Sequence, residues 1–147
     1  MAGSTMENSY DRGLYMKVFP DDLFYSREHL WVRIEGDLAT VGITDYAQER
    51  LGEVHAIELP DPEDEVERDE PFGTIEAVKG VVELISPVTG DVVHVNEDLS
   101  DDIGIINSDA HDTGWMIVVA MKDPEELDDL LDARGYQDFI AEEGEAS

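Results

Sequence analysis

Residues 73–96 read GTIEAVKGVVELISPVTGDVVHVN, with Lys79 inside an apolar run. The chain has three lysines, at positions 17, 79 and 122, against 37 acidic residues, so a lysine set between Val78 and Gly80 is an unusual placement. Phe72, Thr74 and Ile75 precede it and Val81, Val82, Leu84 and Ile85 follow it, a strand-forming composition on both sides. Two such runs joined by a short break ending in glycine predict a hairpin with Lys79 at its solvent-facing tip. Ser86-Pro87-Val88-Thr89-Gly90 predicts the next turn, and Asp91 to Val95 a further alternating strand. On position alone a tip lysine is a solubilising charge. Its scarcity elsewhere points to a use for the amine itself.

Around this stretch, composition bounds the rest. A chain of 147 residues, 41% of them hydrophobic, has room for one domain with a modest core. No run of about 18 apolar residues occurs, so no membrane-spanning helix is expected. The opening MAGSTMENSY lacks the basic and apolar blocks of a secretory signal. Residues 1–13 are expected to be a disordered leader, 14–140 a single domain and 141–147 an acidic tail, in a cytoplasmic protein. The chain has no cysteine, so sulfur redox chemistry requires an added group. The net charge of −28 opposes binding to a phosphate backbone. Because the carboxylates run from Asp21 to Glu145 and lysine is scarcer than arginine, the acidity reads as adaptation to high salt, in a halophilic source, more than as a docking patch for one basic partner.

In chain order, Leu14–Phe19 predicts a short strand stopped by Pro20. Trp31, Val32 and Ile34 predict a strand, Gly36-Asp37 a turn, and Leu38–Ile43 its return. Asp45 as an N-cap, Gln48 three residues on and Gly52 as a stop predict a short helix. Val54–Leu59 predicts a strand closed by Pro60, and DPEDEVERDEP an exposed acidic loop. After Asn96–Asn107, a polar connection, WMIVVAM over 115–121 predicts a strand buried on both faces. Asp123-Pro124-Glu125-Glu126 predicts a helix start, with Leu127, Leu130, Leu131 and Arg134 as its packing stripe, Gly135 as its end and one more docked turn at Tyr136, Phe139 and Ile140. The blocks 31–59 and 72–95 have similar lengths and read as quasi-repeats.

The hairpin IEAVKG, with Glu76 three residues before Lys79, resembles the modification hairpin of lipoyl carriers. Its form is most similar to the glycine cleavage system H proteins. The segment GITDYAQERLGEV over 42–54 resembles that family nearly residue for residue, and YSREHLWVR over 25–33 resembles its first strand, with Leu30 where a glutamate is usual and Glu28 two residues before it. The family commonly has a glycine near Glu63, whose loss predicts a different turn. The resemblance covers about Tyr25 to Ile140. It implies a mainly β fold with short helices, a hammerhead or barrel-sandwich lipoyl-carrier domain with a C-terminal helix. It implies lipoate as an amide on Lys79, recognition by the attaching enzyme through Glu76, and a contact of the arm with Glu83. The implied role is non-catalytic: to carry an aminomethyl group from a pyridoxal-phosphate glycine decarboxylase to a tetrahydrofolate-dependent aminomethyltransferase, followed by reoxidation by dihydrolipoamide dehydrogenase.

Two other readings fit a tip lysine. One is an H-like carrier that serves lipoate transfer instead of glycine cleavage. The other, a biotin carrier, usually has methionines flanking the lysine, where this chain has Val78 and Gly80. His29, His55, His94 and His111 lack the spacing of a metal site and read as structural or surface residues. No G-x-S-x-G elbow or phosphate-binding glycine loop occurs.

Overall fold

The computed structural model describes residues 19–146. The leader expected over 1–13, Lys17 and the strand expected from Leu14 lie outside these residues, except for Phe19, which is buried coil. Along the described residues run β1 (Phe24–Tyr25), β2 (Leu30–Glu35), β3 (Leu38–Ile43), α1 (Asp45–Leu51), β4 (Val54–Glu58), β5 (Glu65–Val66), β6 (Pro71–Ala77), β7 (Gly80–Ile85), β8 (Gly90–Val95), α2 (Asp98–Asp101), α3 (Ile105–Ser108), β9 (Ile117–Met121), a 3-10 helix (Pro124–Asp129) and α4 (Ala133–Ala146).

The strands form a six-stranded sheet, β1-β2-β3-β9-β8-β5, and a three-stranded sheet, β4-β6-β7. The two similar blocks contribute in opposite senses. The first places its hairpin β2–β3 in the larger sheet and its third strand, β4, in the smaller; the second places β6–β7 in the smaller and β8 in the larger. With β5 also in the larger sheet, the chain crosses between the sheets four times. Val32, Val41, Val92 and Val119 from one sheet share an apolar core with Val54, Ile75 and Leu84 from the other. Each such side chain contributes about 1.5–3 kcal/mol by leaving water. A second core of Phe19, Leu23, Tyr25, Trp31, Ala133, Tyr136 and Ile140 lies under α4. The indole of Trp31 lies over its register partner Gly42, where a Cβ would come within 2.7 Å of the ring.

Several expectations are corrected. The cap of α1 is Thr44, whose Oγ1 accepts from the Ala47 N–H at 3.2 Å; Asp45 is instead the first helical residue and accepts from Gln48 Nε2 at 2.7 Å. Both are good caps, and the helix takes the one that Tyr136 also reaches. The acidic loop contains β5, because Val66 is drawn into the core while Glu65 and Val66 pair with Asp91 and Gly90. Glu63 adopts φ 81, a conformation that favours glycine. On β9 only Ile117, Val119 and Met121 are buried; Val118 and Ala120 are half-exposed, so the strand is not buried on both faces.

The largest difference is at the C-terminus. The start signal at Asp123-Pro124 operates, with Asp123 Oδ1 accepting from the Glu125 N–H at 3.2 Å, but the segment is a 3-10 helix ending at Asp129. The backbone then extends at Leu130, and Leu131 and Tyr25 exchange both backbone hydrogen bonds at 2.8 Å. α4 begins at Ala133, with Asp132 Oδ1 accepting from the Gly135 N–H at 2.7 Å, and passes through Gly135. Ala133, Tyr136 and Ile140 form its packing stripe. From Ala141 the helix continues to Ala146.

Candidate functional site

Lys79 stands at the tip of the β6–β7 hairpin, which runs in unbroken register from Ala77↔Gly80 to Gly73↔Leu84. The tip is held by backbone hydrogen bonds outside its own sheet. The Val78 N–H donates to Glu53 O at 3.0 Å and the Lys79 N–H to Leu51 O at 3.1 Å. These acceptors flank Gly52, which ends α1 at φ 78 and donates to Gln48 O at 3.0 Å. Asn107 secures the same corner: its Oδ1 accepts from the Val54 N–H at 2.9 Å, and its Nδ2 donates to Gln48 Oε1 at 2.8 Å and Gly52 O at 3.0 Å. The backbone beneath the lysine is therefore anchored on α1, β4 and α3.

The Lys79 side chain itself is exposed and enters no ion pair among the described residues. Lys122 differs. It hydrogen-bonds Glu65 and lies 3.7 Å from Asp91, and these partners, Glu65 foremost, raise its pKa. Val78, Val81 and Val82 are 60%, 65% and 39% exposed, an apolar collar around the amine. Glu76 is opposite Val81 and Glu83 opposite Thr74, so both carboxylates share the outward face of the hairpin.

Beside the hairpin lies a groove of about 290 Å³, walled by Val82, Glu83 and Leu84 on one side and by Glu28, His29, Leu30, Ile43, Ala47, Arg50 and Leu51 on the other. Leu30 is buried there, with an apolar surface where the resemblance puts a carboxylate, and exposed Glu28 lies on the same wall. The three residues that the sequence singles out, Lys79, Glu76 and Glu83, lie on one hairpin, and Glu28 faces Glu83 across the groove.

The sequence did not foresee the support behind that wall. His29 is held at φ 71, with Nδ1 2.8 Å from Tyr136 Oη and Nε2 3.0 Å from Glu143 Oε1. Tyr136 Oη is also 2.7 Å from Thr44 Oγ1. With neutral His29, one polarity satisfies every group: Ala47 N–H to Thr44, Thr44 to Tyr136, Tyr136 to His29 Nδ1, and His29 Nε2–H to Glu143. Burial lowers the His29 pKa and outweighs the opposing pull of Glu143; burial also raises that of Tyr136. No local pattern marks this chain, since its members come from three separated parts of the sequence, His29, the start of α1 and α4. His111 is structural, its Nε2 accepting from the Asp45 N–H at 3.0 Å, and His55 and His94 lie on strands.

A two-sheet domain that anchors the backbone of a hairpin while leaving its tip amine unclaimed defines a carrier domain of the hammerhead, barrel-sandwich class. The family described as "Glycine cleavage H-protein" matches residues 23–143, and the chain belongs to that family. It is 47% identical to the glycine cleavage system H protein of Staphylococcus carnosus over 123 residues, covering 84% of this chain and 98% of that one. It is 48% identical to that of Halalkalibacterium halodurans over 128 residues, covering 87% and 100%. A crystal structure of a glycine cleavage system H protein from Mycobacterium marinum superposes with a TM-score of 0.75 at 32% identity, covering 86% of this chain and 99% of that one. The family is a non-catalytic carrier component of the glycine cleavage system.

Proposed function

We propose that Lys79 carries lipoate as an amide, and that the protein shuttles an aminomethyl group from glycine decarboxylase to the tetrahydrofolate-dependent aminomethyltransferase before dihydrolipoamide dehydrogenase restores it. The observation that carries this reading is an unpaired lysine on an anchored tip. The residues around it suit such a group. The exposed ammonium leaves room for an acyl chain, and the adjoining groove has apolar walls at Leu30, Ile43, Ala47 and Leu84 to receive one. When bound, the dithiolane supplies the sulfur redox chemistry that a chain without cysteine lacks. The chain's own residues bind and orient. The tether to Leu51 and Glu53 fixes where the arm begins, which raises its concentration at any active site docked beside it. Glu76, on the outward face, is assigned to recognition by the lipoate-attaching enzyme. Glu83 and Glu28, on opposite walls, are placed to attract a cationic amine at the arm's end, and Leu30 to keep water from it.

Among the described residues no helix is long and apolar enough to cross a membrane, and we place the protein in the cytoplasm with its partner enzymes. The test is intact mass and peptide mapping of protein from its host. A lipoyl amide on Lys79 is expected; a biotinyl amide, a bare Lys79 or lipoate on Lys122 overturns the reading. Lipoylated protein with glycine decarboxylase and pyridoxal phosphate is then expected to support exchange of labelled bicarbonate into glycine. A lipoylated protein that fails there, yet accepts acetyl groups from a pyruvate dehydrogenase, overturns the glycine cleavage role while keeping the lysine.

A further inference from the structure

The two sheets have four edges, and three are blunted. β1 and β5, the edges of the larger sheet, are two residues long, and β4 is broken by a register shift between Val54 and Ala56. Short strands and bulges are the usual devices that keep a sheet edge from recruiting a foreign strand. The fourth edge, β7, has neither; only the groove separates its Val82–Leu84 stretch from Leu30, Ala47 and Leu51. It is six residues long, pairs regularly with β6 from Gly80 to Leu84, and exposes Val81 and Val82. It is also the edge that begins next to Lys79.

Its register says which backbone groups are open. Ala77 and Gly80 close a two-residue turn and exchange hydrogen bonds, so the pairs alternate from there: Glu76↔Val81 and Thr74↔Glu83 are the non-hydrogen-bonded ones. The N–H and C=O groups of Val81 and Glu83 therefore point away from β6, to the free edge, and neither N–H donates to any other group among the described residues. Two residues spaced i and i+2 are the pairing unit of one added strand. The charge on the hairpin's outward face is negative, from Glu76 and Glu83, and across the groove Glu28 stands beside Arg50.

We infer that β7 is a strand-addition site: the enzyme that modifies Lys79 lays an extended segment along it, hydrogen-bonding the backbone of Val81 and Glu83 and presenting lysine or arginine side chains at alternate positions to Glu76 and Glu83. This rests on Lys79 being the modified residue and states how it is selected. Pairing along β7 fixes the direction and distance of the tip from the partner's active site, which a charge contact with Glu76 alone does not.

The test uses apo protein and the lipoate-attaching enzyme, with lipoylation followed by mass. Val81→Pro removes the outward N–H without touching the β6–β7 ladder, and Val81→Ala keeps it. The expected result is a KM for the apo carrier raised about tenfold or more in Val81→Pro, from the lost hydrogen bond and the blocked edge, with Val81→Ala changed by less than about threefold. Amide exchange on wild-type protein gives a readout independent of whether the proline variant folds: the Val81 and Glu83 N–H groups are expected to slow when enzyme is added. Equal KM values for a folded Val81→Pro, or amides unprotected by bound enzyme, overturn strand addition. Concentration-dependent self-association abolished by Val81→Pro would instead assign the edge to a second copy of this chain. Wild-type protein left unmodified at Lys79 shows that the underlying assignment has failed, before strand addition is tested.

Discussion

At the scale of single residues, what separates Lys79 from Lys122 is the company each keeps. The ammonium of Lys122 is engaged by Glu65 and Asp91, whereas the carboxylates nearest Lys79 in sequence, Glu76 and Glu83, form no ion pair with it. Lys79→Arg keeps the charge at an exposed position and is expected to leave the melting temperature unchanged while abolishing lipoylation; label appearing on Lys122 in that variant would contradict the assignment. Glu63 offers a second residue-level test. A non-glycine side chain in the left-handed region costs about 1 kcal/mol, and Glu63 sits there at φ 81 between Asp61 and Asp64. Glu63→Gly is expected to stabilise the fold by about 0.5–1 kcal/mol in denaturant unfolding, and Glu63→Ala, which keeps the Cβ, by less. Equal effects of the two would mean that charge, not backbone conformation, governs this turn.

At the scale of elements, the hairpins were legible because alternation and turn residues are local. Trp31–Ile43 and Phe72–Ile85 carry their pairing partners within a few residues of the turn, and both folded as read. The C-terminal region was not legible, because its outcome depends on distant partners. Nothing near Leu131 announces that it pairs with Tyr25, yet those two hydrogen bonds divide one expected helix into a 3-10 helix and α4. The same holds for Asn107, Tyr136 and Glu143, whose roles exist only after the fold brings them to α1 and His29. That packing has a pH signature. Burial lowers the His29 pKa, so the folded state resists protonation more than the unfolded chain does. Its contribution to stability is full above the unfolded value of about 6.5 and is lost as pH falls through the lower folded value. An unfolding titration should therefore show stability falling below about pH 6.5, with that component absent in His29→Asn, since asparagine tolerates φ > 0. Glu143→Gln removes the group that opposes the shift and should move the His29 ring titration, followed by NMR, to still lower pH; a shift upward would contradict the roles given to burial and to Glu143.

At the scale of the whole molecule, charge dominates. Nine basic residues face 37 acidic ones, and the few cations are used several times over: Arg68 reaches Asp129 at 2.6 Å and Asp69 and Glu126 at 3.9 Å, while Lys122 serves Glu65 and Asp91. Most carboxylates therefore repel one another across the surface. Unfolding spreads these charges apart and relieves the repulsion, so at low ionic strength it acts against the compact state. Salt shortens the reach of the repulsion from about 10 Å at 0.1 M to about 3 Å at 1 M. The exposed ion pairs lose strength under the same screening, but each contributes at most about 1 kcal/mol, and they are far fewer than the like-charge neighbours. The net effect should be stabilising, and we expect the melting temperature to rise steadily between 0.1 and 1 M sodium chloride, to about the same extent in potassium chloride because screening depends on ionic strength. A surface built to meet one basic partner would behave differently: its carboxylates would be concentrated on one face, the melting temperature would change little with salt, and the partner's affinity would carry the salt dependence. A flat melting temperature over this range would therefore remove salt adaptation as the reason for the acidity and leave partner docking, with Glu76 and Glu83 beside the free β7 edge as the first surface to probe.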